Sequence, residues 1–320
     1  MKVGISGAGF MARTHAAAYA EMDVEVTAVA SPSGPEPFLE QLDLDAEAFT
    51  DTETLCETAD IDFLDVCTPT HTHVEQVRIA ADAGVDVFLE KPIAGSIEAA
   101  EEIADVVEDS GVTFGVGHVV RFSPSYAKAR ELEIGTPGVA RARRLSPFPD
   151  WGSDNWFADR EKSGGVFVDL AIHDLDYLRW CWGEVERVFA RRHREPEAEH
   201  GFVTLRFENG AVGYVEASWA QPDTRELTFE LEFAGEDGLV EYSNEDEAPY
   251  CEWTDDGTTV ESPFAKGSYR RQLEDFVEAV ESETDPAVGA DEAIEALRLA
   301  LAADRSADRG TPVAPAEVGR

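Results

Sequence analysis

Val3-Gly4-Ile5-Ser6-Gly7-Ala8-Gly9-Phe10-Met11-Ala12 opens the chain, and its reading decides the fold. Val3 to Ser6 is a short apolar strand. It runs into G-x-G-x-x-A, and an Ala-rich helix carries on to about Glu21. Between a strand and a helix this pattern is a dinucleotide fingerprint. Gly7 allows the tight turn, Gly9 lets the backbone approach a pyrophosphate, and Ala12 lets the helix pack on the strand. The helix N-terminus adds free N–H groups and a positive dipole end for the phosphates. A tight strand-to-helix turn without ligand is the competing reading. The βα units that follow disfavour it.

The second strand, Val24 to Ala30, ends in Ser31-Pro32-Ser33-Gly34. An NAD site usually places Asp or Glu here, on the ribose 2′-hydroxyl. No carboxylate stands here to repel a 2′-phosphate, Ser31 and Ser33 can donate to one, and no Arg follows. The cofactor expected is NAD or NADP, with NADP favoured. Short helices are predicted near Phe38–Leu42 and Thr52–Thr58. A buried strand follows over Ile61–Val66, leading into Cys67-Thr68-Pro69-Thr70-His71-Thr72-His73-Val74-Glu75. Thr72 and Glu75 fit a capping box, with Gly84 as the stop after Ala83. The next strand, Val85 to Leu89, ends in Glu90-Lys91-Pro92. A helix over Ser96–Ser110 and a strand over Thr113–Val116 complete the alternation. Strands alternating with helices specify a parallel doubly wound sheet, whose ligands lie beyond the strands' carboxyl ends. Thr68, Lys91 and His118 stand at such ends.

Beyond about residue 120 the character changes. A helix over Ser123–Glu133 and a strand over Val139–Ser146 precede a loop rich in Pro, Gly and Trp, 147–163. Gly164-Gly165-Val166-Phe167-Val168-Asp169-Leu170-Ala171-Ile172-His173-Asp174 then opens a helix closed by Gly183. Residues four apart share a helix face, so Asp169 and His173 present a carboxylate and an imidazole side by side. That pairing sets up a general base near neutral pH. Strands follow over Val188–His193, Phe202–Phe207, Val212–Ala217, Leu227–Phe233 and Leu239–Tyr242, with Asn209-Gly210 as a hairpin turn. Helices near Lys266–Ser282 and Asp291–Asp308 end the chain. The fold expected is α/β: a Rossmann domain over 1–120, then an α+β domain over 121–320 with a largely antiparallel, open-faced sheet.

Composition bounds the partners. The chain of 320 residues carries 26 Lys+Arg against 66 Asp+Glu, a net charge of -40. Its strong apolar periodicity separates it from disordered acidic chains. A folded chain this acidic resembles those of salt-accumulating cells, where screening relieves carboxylate repulsion. The global field repels nucleic acid and anionic membrane. No apolar run reaches the ~20 residues that span a bilayer. The four cysteines form no CxxC and read as reduced thiols, and with no signal peptide ahead of the first strand the expectation is a cytoplasmic protein. The lysines are Lys2, Lys91, Lys128, Lys162 and Lys266, so Lys91 at a strand end stands out. No metal is expected: Cys67, His71 and His73 are ligand types, but the stretch is explained without one.

Four features together give a resemblance: Gly7-Ala8-Gly9-Phe10-Met11-Ala12, Cys67 through Glu75, Glu90-Lys91-Pro92, and Gly164-Gly165 leading into Asp169-x-x-x-His173-Asp174. In this order and spacing the chain resembles the Gfo/Idh/MocA oxidoreductases, named for glucose-fructose oxidoreductase and inositol dehydrogenase. The resemblance implies a catalytic triad of Lys91, Asp169 and His173. It implies that Phe10, Met11, Ser31, Thr68, His73 and Glu90 line the dinucleotide with Gly7 and Gly9, and that the Lys91–Pro92 peptide is cis. The segment Gly117–Phe122 would touch nicotinamide and substrate, which places His118 there. Arg121 and Asn155 are candidate hydroxyl binders, and Trp151 and Trp156 offer an aromatic face. The resemblance further implies homodimers or homotetramers formed through the C-terminal sheet.

Hydride transfer from a secondary alcohol needs a base for the hydroxyl proton and a positive group for the developing alkoxide. His173 is the expected base and Lys91 the expected stabiliser, with Asp169 orienting His173. The leading reading is an NAD(P)-dependent dehydrogenase of a sugar or cyclic polyol, inositol-like or an aldose. The alternatives are a nucleotide-retaining glycoside hydrolase or epimerase, an imine or enone reductase, and a non-catalytic dinucleotide sensor.

Overall fold

The computed structural model describes residues 1–150, 153–245, 250–254, 257–261 and 267–319. Trp151, the side chain of Asn155 and Lys266 lie outside the described residues. The first half alternates β1 (Lys2–Ser6), α1 (Phe10–Tyr19), β2 (Glu25–Ala30), α2 (Glu36–Leu42), β3 (Glu47–Phe49), α3 (Thr52–Thr58), β4 (Phe63–Val66), α4 (His73–Asp82), β5 (Asp86–Leu89), α5 (Ile97–Ser110) and β6 (Phe114–Val116). Its six strands lie in the order β3-β2-β1-β4-β5-β6, every pair parallel. The chain moves outward from β1 to β3, then returns to the other side of β1 with β4. This reversal is the switch point at which doubly wound sheets open a ligand crevice.

Local chemistry sets the boundaries. Ser96 accepts from the Ala99 amide at 3.2 Å to start α5, and Gly111 ends it at φ +72°. Asp51 does the same for α3 through the Thr54 amide, at 2.8 Å. The capping box expected at Thr72 does not form. Its hydroxyl turns back to Thr68 Oγ1 and the Pro69 carbonyl, both at 2.8 Å, and a 3₁₀ turn over Thr70–Thr72 precedes α4. At Gly7, φ is +110° and an added Cβ would stand 2.7 Å from the Cys67 carbonyl oxygen, so only glycine fits.

The second half contains α6 (Pro124–Glu131), β7 (Pro137–Pro147), a 3₁₀ turn over Ser153–Ala158, α7 (Arg160–Ser163), a π-helical turn over Phe167–Ala171 and α8 (Ile172–Trp182). β8 (Val185–Glu195), β9 (Ala198–Phe207), β10 (Val212–Gln221), β11 (Thr228–Gly235), β12 (Leu239–Ser243), β13 (Tyr250–Thr254) and β14 (Gly257–Glu261) follow. The chain closes with α9 (Ser268–Ser282) and α10 (Ala290–Arg309). The second sheet runs β12-β11-β7-β10-β9-β8. It is mixed rather than antiparallel throughout: β7 pairs parallel with β10 and antiparallel with β11.

One face of this sheet carries α8 and α10. Strand β9 alternates buried and exposed along its length, as a half-covered sheet requires. Arg143 bridges Glu216 at 3.4 Å and Glu230 at 3.2 Å across neighbouring strands. The halves are interlocked through α9. Leu273 and Phe276 are buried with Val3, Ile5, Ala12, Tyr19 and Phe63 in one core cluster, so a late helix covers the first sheet. Phe276 fits because residue 115 is glycine, where a Cβ would stand 2.8 Å from its ring.

Candidate active site

The crevice begins at the uncapped end of α1. Gly9 occupies its N-cap with no side-chain cap, the first turn carries no acid, and an added Cβ at Gly9 would meet nothing within 4 Å. The backbone is therefore open to an approaching group, and the unbonded N–H groups suit an anion. Phe10 is 49% exposed at this edge. Across the switch point, Thr68 lies beyond β4. Ser31, beyond β2, is nearly buried, with its hydroxyl 3.3 Å from that of Ser33. These features fit a dinucleotide with its pyrophosphate at Gly7–Met11.

Glu90-Lys91-Pro92 leaves β5, and the Lys91–Pro92 peptide is cis, as the resemblance implies. His73 braces this turn. It is buried, with Nδ1 at 3.1 and 3.2 Å from the carbonyls of Pro92 and Ile93 and Nε2 at 3.0 Å from that of Thr68. It thus ties the exits of β4 and β5 together, where the sequence suggested a cofactor contact. Burial holds its pKa below the ordinary histidine value.

Lys91 crosses to the other half. Its Nζ donates to the carboxylate of Asp169 at 2.9 Å and to the Asp169 backbone carbonyl at 2.8 Å. Both side chains are largely buried, which makes the pair far less screened than a surface bridge. Asp169 sits in the π-helical turn, four residues before His173. The carboxylate expected beside the imidazole is thus engaged by the lysine. His173 opens α8, and its Nδ1 is buried without a hydrogen bond. Burial, then the charges of Lys91, Arg144 and His118, hold its pKa well below the ordinary value. The ring is neutral at pH 7 and shares an electrostatic environment with Lys91.

His118 follows β6 at 1% exposure, and neither ring nitrogen has a hydrogen bond. Its Nδ1 lies 3.5 Å from Asp176 Oδ2. Burial again pulls its pKa down, against the pull of Asp176. Arg121 corrects the expectation of a hydroxyl binder. Its guanidinium is buried and forked onto Asp176, Nε at 2.8 Å and Nη2 at 2.5 Å, and Nη2 also reaches Glu292 at 2.7 Å. Arg144 makes the equivalent fork onto Asp174, at 2.9 and 2.8 Å. Asp174 and Asp176, which follow His173 on α8, are thus fixed by two buried arginine–aspartate pairs. Trp156 stacks on His71 across the two halves, centroids 5.5 Å apart.

Three groups escaped the sequence. No structural role for Asp174, Asp176 or His15 was legible in the sequence. His15 is fully buried with its Nδ1 2.8 Å from Asp65 Oδ2. Asp65 inside the apolar run Phe63-Leu64-Asp65-Val66 was the available signal, since a carboxylate in a buried strand requires a partner. Cys67 joins this pair, its Sγ 3.4 Å from Asp65 Oδ1, rather than His71 or His73. Burial pushes its thiol far up, so it stays protonated.

A nucleotide-type sheet with a second half lending its own acid and imidazole to the crevice defines a dinucleotide-dependent oxidoreductase. The profile of an oxidoreductase family with an NAD-binding Rossmann fold matches residues 1–118, and that of the GFO/IDH/MocA C-terminal domain matches residues 127–241. The chain belongs to the GFO/IDH/MocA oxidoreductase family. It is 30% identical over 280 residues to D-xylose 1-dehydrogenase (NADP(+)) 2 of Haloferax volcanii, covering 83% of this chain and 84% of that protein. It is 29% identical over 346 residues to myo-inositol 2-dehydrogenase of Thermotoga maritima, covering 99% of each. The crystal structure of myo-inositol 2-dehydrogenase from Lactobacillus plantarum superposes with a TM-score of 0.82 at 25% identity, covering 98% of this chain and 99% of that one. No described helix is long and apolar enough to cross a membrane.

Proposed function

We propose that the protein oxidises a secondary alcohol of a sugar or cyclic polyol, or reduces the matching ketone, with a nicotinamide dinucleotide. One observation carries this reading: Lys91 from the nucleotide half is held by Asp169 from the other, in the field of a neutral, unpaired His173. The bound nicotinamide supplies the hydride acceptor. Residues Gly7, Gly9, Phe10, Met11, Thr68 and Glu90 hold the dinucleotide. His173, neutral at pH 7, takes the hydroxyl proton on its ring. A positioned base of this kind contributes about 10²–10⁴ in rate. Lys91 donates to the substrate oxygen and stabilises its developing negative charge. Asp169 keeps that ammonium in the crevice, a role it serves through Lys91 rather than through His173. His118 has two unpaired ring nitrogens in the same buried region and suits a neighbouring hydroxyl.

NADP is the cofactor favoured, supported by Ser31 and Ser33 standing where NAD sites carry an acid and by the NADP-linked name of the Haloferax volcanii relative. We assign assembly to the open face of the second sheet. There Phe202 is 38% exposed and packs with Tyr214 and His200, an aromatic patch in a field of paired charges.

The test is a screen of aldoses and inositols against NAD and NADP at molar salt, reading absorbance of the reduced nicotinamide. Turnover that persists in both K91M and H173A would show that the chemistry lies elsewhere. Product formed without net nicotinamide reduction would turn the reading to a nucleotide-retaining hydrolase or epimerase.

A further inference from the structure

Behind the Gly7–Ala12 turn lies a buried polar cluster centred on His15, to which the proposed reaction gives no role beyond the contact of Glu90 with the dinucleotide. His15, on α1, is fully buried. Its Nδ1 stands 2.8 Å from Asp65 Oδ2 on β4, and its Nε2 stands 3.2 Å from Glu90 Oε1 beyond β5. Asp65 is 0% exposed and Glu90 5%. Among the described residues no Lys or Arg side chain comes within ion-pairing distance of either carboxylate. The imidazole is therefore the cation available to both. A neutral ring would leave both carboxylates without a cation, whereas a protonated ring donates through Nδ1 to Asp65 and sets its charge 3.2 Å from Glu90 Oε1, an ion pair without a hydrogen bond.

The remaining neighbours are uncharged. Tyr19 donates to Asp65 Oδ2 at 3.0 Å, and burial keeps it protonated. Cys67 stays a thiol for the same reason. From α9, Tyr269 lies 6.0 Å from the ring, its hydroxyl also held protonated by burial and by Glu90, and the Gln272 amide lies 3.5 Å away. Burial works against a charged His15, Asp65 is the strongest influence in the other direction, and the ring's pKa is raised well above the ordinary value.

Glu90 is the neighbour of Lys91 in sequence and accepts its backbone N–H at 3.2 Å through Oε2. Residue 117 is glycine, and a Cβ there would stand 2.8 Å from Glu90 Oε1. A carboxylate so placed is a natural competitor for the Lys91 ammonium. We propose that His15 is an imidazolium clamp that holds Glu90 back from Lys91, and so leaves the lysine to Asp169 and the reacting oxygen. His15 is then a positioning residue, and its functional consequence rests on the dehydrogenase reading above.

The decisive measurement is a nitrogen-15 spectrum of the imidazoles in the full chain at pH 8, without nucleotide. One ring is expected with both nitrogens protonated, lost in H15Q. If H15Q does not fold, Y19F, which perturbs Asp65 from its other side, shifts and so assigns the same signal. Neutral imidazoles throughout at pH 8 overturn the clamp. A thermal-stability cycle tests the partner: E90Q added to H15Q should raise Tm, because it removes the carboxylate left without a cation. A double variant no more stable than H15Q excludes Glu90. In an active preparation H15Q should lower kcat at least about tenfold, within the roughly hundredfold that a 1 Å misplacement costs. If no alcohol is oxidised, the spectrum and the stability cycle still decide the clamp, and the failure falls on the proposed reaction alone.

Discussion

The ammonium of Lys91 is bound twice by Asp169, once by its carboxylate at 2.9 Å and once by its backbone carbonyl at 2.8 Å. A residue beyond β5 is thereby fixed by the π-helical turn that leads into α8. The contact joins the two halves at the point where charge develops in the proposed reaction. K91M should therefore lower kcat by about 10²–10³, the loss expected for one preorganised donor. Steady-state rates on the best substrate check this. A change confined to KM would make Lys91 a binding residue.

His173 should be inactive only when protonated. Its pKa is held well below 6.5 by burial and by Lys91. The pH profile of kcat/KM should therefore stay flat through neutrality and fall only well below pH 6.5. H173A should cut turnover at least about a hundredfold with nucleotide binding retained. Imidazole titration by NMR gives a second check: in K91M the His173 pKa should move up, because a neighbouring positive charge is gone.

The same depression has a sign for stability. The unfolded chain takes up a proton near pH 6.5 that folded His173 refuses, so its contribution to stability is lost as pH falls below 6.5. His118 acts in the same direction, its pKa being lowered chiefly by burial. Urea unfolding at pH 7 and pH 5 should show a smaller acid loss in H173A than in the parent. An equal loss would mean that the ring is not held neutral.

Arg121 separates a structural from a substrate role. Removing it leaves Asp176 buried without its fork, a change that costs about 3–5 kcal/mol. R121L should show this loss in urea unfolding, and R121L/D176L should recover much of it. Were Arg121 a hydroxyl binder, R121L would raise KM and leave stability nearly unchanged.

A net charge of -40 over 320 residues is self-repulsive at low ionic strength. At 1 M salt the screening length falls to about 3 Å. Tm should rise with KCl, on the order of 1–2 °C for each 1 kcal/mol of repulsion relieved. A Tm independent of salt between 0.05 and 2 M would reject this.

What could be read from the residues was local. Gly7, Gly9 and Ala12 signal a turn within a few residues of one another, and Glu90-Lys91-Pro92 needs only the strand before it. That Asp169 and His173 lie one helical turn apart was legible, yet the partner of Asp169 was not. Helical spacing pairs it with His173, and only the closure of the two halves brings Lys91 to it. Arg121 failed for a related reason. An arginine near a crevice looks free until a helix from 50 residues further on supplies Asp176. The parallel pairing of β7 with β10 was hidden too, because hydrophobic alternation reports which face is buried and not which neighbour is chosen. β3, at three residues, was too short to announce itself.

Helix α9 has a practical corollary for protein engineers. Because Leu273 and Phe276 seal the wall formed by Val3, Ile5 and Phe63, the nucleotide half is not a detachable cassette. A fragment ending near residue 120 would leave that greasy wall wet and should aggregate, whereas one with 268–282 spliced back on has the missing plug. Chimeras that swap substrate specificity among relatives must therefore be cut on both sides of the second sheet, and never by a single crossover.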